Sequence, residues 1–197
     1  MKAHQKNKCT LEHLERFIPW LCGAFALLLY ELTNAPGLFW GDAGEFIAVS
    51  KTLGIGHPYG HPLFWLLGRL SIMIMPGSPA AAMNHLIALI SAGTCVIIAR
   101  FAQNWIDHRL SAGNRFAVVI ICTMLYATAT SVWMQASFTE VYNFQAFFIA
   151  LMIYYLDRFF YHGGVSSHLF AAVFFGGLAI TLGMYAAFFV VLPIMII

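Results

Sequence analysis

Long stretches of this chain carry almost no charge, and that constrains its fold more than any other feature. Phe17 to Thr33 contains one acid, Glu31. Leu86 to Ala102 is interrupted only by Arg100 near its end. Phe116 to Met134 and about Val141 to Leu156 follow, and Ser167 to Ile197 is nearly all apolar. A bilayer core about 30 Å thick is crossed by roughly 20 apolar residues in a helix. The last stretch would be about 45 Å long as one helix, so it is expected to break into two near Thr181 to Gly183. Charged residues make up 9% of the chain against 61% hydrophobic, too few to coat a soluble domain. The expected fold class is therefore all-α, a polytopic membrane helix bundle crossing about five or six times.

Lysine and arginine give the orientation. Lys2, Lys6, Lys8 and Arg16 precede the first run, Arg100, Arg109 and Arg115 flank the connection between the second and third, and Arg158 follows the fourth. With alternating crossings these fall on one side, leaving Lys51 and Arg69 on the other. The positive-inside rule then puts residues 1–16 in the cytoplasm, with 17–197 as the transmembrane domain and 34–85 as its first extracytoplasmic loop. Asp42, Glu45 and Glu140 lie on the side away from the cytoplasm, with Glu31 near that end of its helix. The small net charge of +2 gives no argument for nucleic acid. Cys9, Cys22, Cys95 and Cys122 have no metal-site spacing and read as free thiols. The first run reads as a retained helix rather than a cleaved signal. The end of the chain inside an apolar run reads as part of a longer protein.

Fifty residues of structureless loop would be uncommon in a compact protein. Within 34–85, Glu45 to Leu53 has a helical apolar pattern, and Pro62 to Met75 is apolar but too short for a span, suiting an interfacial helix. Asp42 and Glu45, three apart, share a helix face; the same spacing is also a capping-box pattern with Asp42 as N-cap. His57 and His61 are four apart, but the prolines and glycine of Gly56-His-Pro-Tyr-Gly-His-Pro62 prevent a regular helix through them, so a turn holding His57 near the carboxylates is expected rather than a metal pair. Glu140 and Asn84 enter later spans on the acidic side. Arg69 either binds an anionic ligand or reaches for lipid phosphates.

Trp40-Gly-Asp-Ala-Gly-Glu45, Thr52-Leu-Gly-Ile-Gly-His-Pro58, Gly60-His-Pro-Leu63, Gly68-Arg69, Asn84 and Glu140-Val-Tyr142, in this order and spacing, resemble the multi-span family that includes the eukaryotic transmembrane protein O-mannosyltransferase and many bacterial proteins. The resemblance covers about residues 20 to 160. It implies a GT-C-like glycosyltransferase with an extracytoplasmic site and a polyprenyl-phosphate sugar, with mannose as a candidate sugar. It implies Asp42 as catalytic base on the hydroxyl of a protein or glycan acceptor, with Glu45, His57, His61, Arg69, Asn84, Glu140 and Tyr142 as substrate-binding residues. The lipid-linked sugar would be the donor substrate, no cofactor or divalent metal is called for, and membrane lipid is an expected partner. A bacterial cytoplasmic membrane is favoured over the ER. The chain departs from the family at His61, where tyrosine is usual, and at Thr181 to Tyr185, where a polar Asn-His pair is common. A transporter and a non-catalytic membrane subunit are the rival readings.

Overall fold

Apolar runs with 3.6-residue periodicity become helices, and the computed structural model is helical throughout. It describes residues 2–58, 60–106 and 109–183. The side chains of residues 2–14 (with Lys2, Lys6, Lys8 and Cys9), Tyr59, Tyr185 and the last apolar run beyond Gly183 lie outside the described residues.

The helices are α1 (Lys2–Leu32), α2 (Ala43–Thr52), α3 (Pro62–Ile74), α4 (Pro79–Trp105), α5 (Ala112–Ala127), α6 (Thr130–Ala136), α7 (Tyr142–Tyr161) and α8 (Ser166–Ile180). No strand occurs among the described residues. The two helices expected in the first loop are present as α2 and α3, and α8 ends at Ile180, beside the stretch where a break is expected. Residues 2–16 have helical backbone and belong to α1.

Polar contacts at the helix ends give the five long helices alternating directions. Glu31 of α1 meets His85 of α4, and Glu15 meets Gln103, so α1 and α4 are antiparallel. Arg115 reaches Glu15 while Tyr30 donates to the Ala127 carbonyl at 3.0 Å, so α5 runs with α1. Asn143 donates to Ser91, and Trp105 to Asp157, so α7 runs with α4. Gln145 donates to Ala179, which turns α8 against α7.

α4 is the centre, packed on α1, α3, α5 and α7. Its seam with α1 is made of small residues. Cys22 and Ala26 face Ala88, Ala92, Cys95 and Ala99, all buried. Small side chains allow the close backbone approach typical of helix pairs in lipid, where apolar area alone does not drive association. Gly23 sits so close to Val96 and Ala92 that a Cβ would collide. The faces turned outward are apolar too: Phe17, Trp20, Leu21, Phe25, Leu28 and Leu32 form an exposed stripe along α1.

Pro19 lies inside α1, yet the helix continues through it. Proline has no N–H for the carbonyl four residues back, that of Glu15. The Gln103 side chain donates to that carbonyl at 2.7 Å and replaces the missing bond.

The run Phe116 to Met134 departs from expectation. It is two helices, α5 and α6, meeting at 66°. Neither proline nor glycine marks the break. The turn at Thr128 and Ala129 is held by Tyr30 on the Ala127 carbonyl and by Trp133 Nε1, which donates to Thr33 Oγ1 at 2.9 Å. Among the described residues one helix, α4, is long and apolar enough to cross a membrane, and the bent pair would make a second. Of the remaining three, α1 and α7 carry charge within their ends, such as Glu31 on α1 and Asp157 and Arg158 on α7, and α8 has 15 residues.

Gly23→Val is expected to force α1 from α4 and cost about 1–3 kcal/mol, as overpacking does. Gly177→Ala, whose Cβ would meet nothing, serves as the control. Unfolding midpoints in detergent should fall for the first variant and hold for the second.

Candidate functional site

The geometry of the site begins with the way α2 and α3 lie together. Phe46 contacts His61 and Phe64, and further along Arg69 meets Lys51, so the two helices run in the same direction. The segment between them must therefore return along α2, and this carries His57 back to the start of α2. There the His57 backbone N–H donates to Glu45 Oε1 at 2.6 Å, and its ring Nδ1 bonds Oε2 at 3.0 Å. Both oxygens of Glu45 are thus occupied by one residue. Gly56 makes the approach feasible, since a Cβ there would lie 2.6 Å from the Trp65 ring and 3.1 Å from Glu45 Oε1.

Asp42 stands at the N-cap of α2, but the capping-box reading fails. Its backbone is in the αR region (φ −79°, ψ −1°), and its side chain makes no cap hydrogen bond. An N-cap normally adopts an extended backbone that aims its oxygen at the N–H groups of the first turn. The reciprocal half is missing too, because Glu45 points at His57. Asp42 is left exposed, its carboxylate open to a ligand. One oxygen of Asp42, one of Glu45 and a ring nitrogen of His57 lie within 4.8 Å of one another. These are atoms of the kind that bind a divalent cation, and among them Glu45 and His57 are already bonded to each other.

Glu140 arrives from the turn before α7. Its Oε1 lies 3.4 Å from where a Cβ on Gly41 would be, and Gly41 has φ +77°, a turn conformation that glycine tolerates best. Asn84 fixes this juxtaposition. Its amide donates to the Ala35 and Gly37 carbonyls at 2.9 and 3.1 Å, and its oxygen accepts from Thr139 at 2.6 Å. The segment leading to Asp42 and the one carrying Glu140 are both fastened to α4.

The remaining candidates are placed differently. His61 is buried at the start of α3, its Nδ1 2.7 Å from the Leu182 carbonyl, so it ties the loop to the end of α8. Arg69 donates to the Lys51 carbonyl at 2.5 Å, closing the C-terminus of α2. Lys51 lies nine residues along α2 from Asp42, about 14 Å, so both cations stand away from the acids. Tyr142 is exposed at the start of α7. Glu31 was read only as an acid near the end of its helix; the structure pairs it with His85 at 2.5 Å on the same end of the bundle. Glu two residues before the end of one apolar run and His directly before the next is the sequence signal for this pair.

Charges in the site are coupled. The His57 side chain and then its N–H hold Glu45 below the usual carboxylate range, and the Glu45 bond raises His57. Burial, opposed by the Val141 N–H and aided by the charge of Asp42, raises Glu140. Burial favours the neutral ring and lowers His61, against the Leu182 carbonyl, which raises it.

A family described as the protein O-mannosyl-transferase TMEM260 N-terminal domain matches residues 42–197. Protein O-mannosyl-transferase TMEM260 of Mus musculus is 31% identical over 151 residues, 72% of this chain and 20% of that protein. Protein O-mannosyl-transferase tmem260 of Dictyostelium discoideum is 25% identical over 130 residues, 64% of this chain and 15% of that protein. The chain thus spans about a fifth or less of the length of these relatives. No solved structure matches.

The ion pair has a pH window. The contribution of raised His57 is complete below its ordinary value near 6.5 and is lost as pH rises through the raised one; that of lowered Glu45 is present above its ordinary value near 4.5 and is lost as pH falls through the lowered one. NMR titration of the His57 ring should therefore show a midpoint above that of a free histidine, returning toward it in Glu45→Gln. Gly56→Ala, by pushing the turn off Glu45, should lower the midpoint in the same direction without unfolding the bundle.

Proposed function

Since this chain belongs to the family of the protein O-mannosyl-transferase TMEM260 N-terminal domain, we propose that it forms the donor-side part of a membrane glycosyltransferase, moving a sugar from a polyprenyl-phosphate donor to a hydroxyl of a protein. Mannose is the sugar that the names of the relatives suggest. The single observation that carries the mechanism is the division of labour among three carboxylates. Glu45 has both oxygens committed to His57, and Glu140 is half-buried and raised, so it holds its proton more readily. Asp42 is exposed and makes no cap bond. It is the carboxylate able to accept a proton from an incoming hydroxyl.

The step is an inverting displacement. The acceptor oxygen forms its bond to the anomeric carbon as its proton passes to Asp42, and the bond from that carbon to the phosphate oxygen breaks, the electron pair leaving with polyprenyl phosphate. His57, whose bond to Glu45 favours its protonated form, is the group beside the acids that can meet the departing phosphate. Lys51, near the C-terminal end of α2, and Arg69 of α3, bonded to the Lys51 carbonyl, stand too far along the helix pair to serve a sugar whose anomeric carbon is beside Asp42. His61, neutral and engaged with Leu182, positions the turn that carries His57.

The membrane setting is part of this reading. We infer a polytopic arrangement in which α1, α4, the α5–α6 pair, α7 and α8 cross or enter the bilayer, with α2 and α3 at its extracytoplasmic boundary. The alternating directions, the small-residue seam and the outward apolar faces support it. α3 exposes Leu66, Leu70, Met73 and Ile74, a surface suited to lie in lipid near the tail of the donor.

Asp42→Asn should reduce transfer from a polyprenyl-phosphate mannose to a peptide acceptor by about 100-fold or more, the scale of a positioned base, while the protein accumulates in membranes at the normal level. Full activity in that variant would remove Asp42 from the mechanism. Transfer from other polyprenyl-phosphate sugars but not mannose would leave the chemistry and replace the donor.

A further inference from the structure

The two segments that bring Asp42 and Glu140 together also border a cavity, which the transfer step described above leaves unused. The Ala35 N–H donates to the Ser137 carbonyl at 2.7 Å, the Phe39 and Phe138 rings meet at 4.5 Å, and Gly41 stands beside Glu140. Residues 35–41 and 137–140 therefore run side by side in one direction, toward the acids. Beside the start of this pairing is a cavity of about 290 Å³, between residues 33–39 and the end of α6. Pro36, Leu38, Phe39, Met134 and Phe138 give it apolar walls, and Asn34 is part of the lining.

Place and size say what can enter. Phe39 is three residues before Asp42, and Phe138 is two before Glu140. Three residues of extended chain span at most about 10 Å, so the cavity is a short reach from the acid that accepts the proton. Leu38, Phe39 and Trp40 are exposed and continue its apolar wall toward that acid. Ligand pockets start at about 300 Å³, so the space suits one large side chain rather than a lipid-linked sugar.

The chemistry of the wall favours a peptide. Asn34 Oδ1 is shielded from solvent and finds no hydrogen-bond partner among the described residues. An unpaired buried acceptor is costly. Hydrocarbon in the cavity would leave that cost in place, whereas a peptide brings N–H donors together with apolar side chains. An inverting displacement also takes its nucleophile from the face opposite the leaving group. His57 comes from the turn ahead of α3, which gives that side to the departing phosphate and leaves the segment ahead of Asp42 for the acceptor.

We propose that this cavity is an acceptor subsite. It takes an apolar side chain of an extended peptide, two or three residues from the hydroxyl presented to Asp42. The inference rests on the transfer reading above and adds to it a sequence preference in the acceptor.

The test uses the purified full chain in detergent and labelled peptides carrying one threonine and one leucine. The leucine is moved from the first to the fourth residue on either side, and a matched set has aspartate in its place. Fluorescence anisotropy reads binding, and transfer from polyprenyl-phosphate mannose is measured separately. Leucine two or three residues from the threonine, on one side, should bind about tenfold more tightly than aspartate there, the scale of partly burying one such side chain. Leu38→Glu should favour lysine over leucine at that position, a gain that a misfolded chain would not show, and should raise KM for the leucine peptide more than it lowers kcat. Ile55→Glu, exposed and outside the lining, should keep the leucine preference. Equal binding at every leucine position, or an unchanged preference in Leu38→Glu, overturns the subsite. Capture of phospholipid and not peptide by a photo-crosslinking side chain installed at Met134 also overturns it. Peptide binding with the leucine preference but no transfer removes the transfer reading, while transfer without that preference removes the subsite alone.

Discussion

Asn84 is the residue on which the acidic site depends. It is buried at the start of an apolar helix, where an amide without partners would be costly. Its partners come from two distant segments, the Ala35 and Gly37 carbonyls on one side and the Thr139 hydroxyl on the other. Satisfying one side chain therefore fastens two loops to α4. Asp42 follows the first of these loops and Glu140 the second, so their proximity is set by a buried hydrogen-bond network rather than by mutual attraction. Two carboxylates would not approach of their own accord. The backbone bond from Ala35 to the Ser137 carbonyl, at 2.7 Å, ties the same two segments a second time.

Much of the helical frame could be read from hydropathy because burial in this protein is written in long runs. The short helices α2 and α3 were legible for a different reason: apolar periodicity bounded by glycine and proline. What hydropathy could not reveal was the break at Thr128. The sequence Tyr126-Ala-Thr-Ala-Thr130 has no helix breaker, and the bend is held from outside by Tyr30 and Trp133. The site was legible in part. Asp42, Glu45, His57 and Glu140 were named from short motifs and do converge. The spacing of Asp42 and Glu45 suggested a capping box, but local spacing does not reveal that His57, twelve residues later, returns to take the Glu45 oxygens. Arg69 and His61 were read as ligand groups because a charged or titratable side chain in an apolar context invites that reading; in the structure each has a backbone carbonyl to satisfy.

Pro19 shows how one backbone defect organises a whole end of the molecule. Loss of the Glu15 hydrogen bond would destabilise an isolated helix. Here α4 supplies Gln103, and Arg100 joins at the next carbonyl. The same α4 presents Asn84 and His85 at its other end. One apolar helix thus holds two polar assemblies about 24 Å apart, with its small residues buried between them.

The arrangement of charge along the bundle agrees with the proposed transferase better than with a transporter. A transporter needs polar groups near the middle of its crossing, often on broken helices. On α1 no charged residue falls between Arg16 and Glu31, and on α4 none falls between His85 and Arg100. On α7 none falls before Asp157. The polar residues described at mid-height are accounted for: Ser91 accepts from Asn143, and Thr94 and Thr123 donate to carbonyls one turn back in their own helices. Between the polar ends, the α1–α4 seam is Cys22, Ala26, Ala88, Ala92 and Cys95, packed without room for an added Cβ at Gly23. The break between α5 and α6 is at the acidic end, beside Thr33 and Ser137, not at the midplane. A polar substrate would find partners at the two ends of the bundle and no charged group through the described interior. That suits a reaction in which the hydrophobic part of the donor stays in lipid while its sugar is presented at the edge.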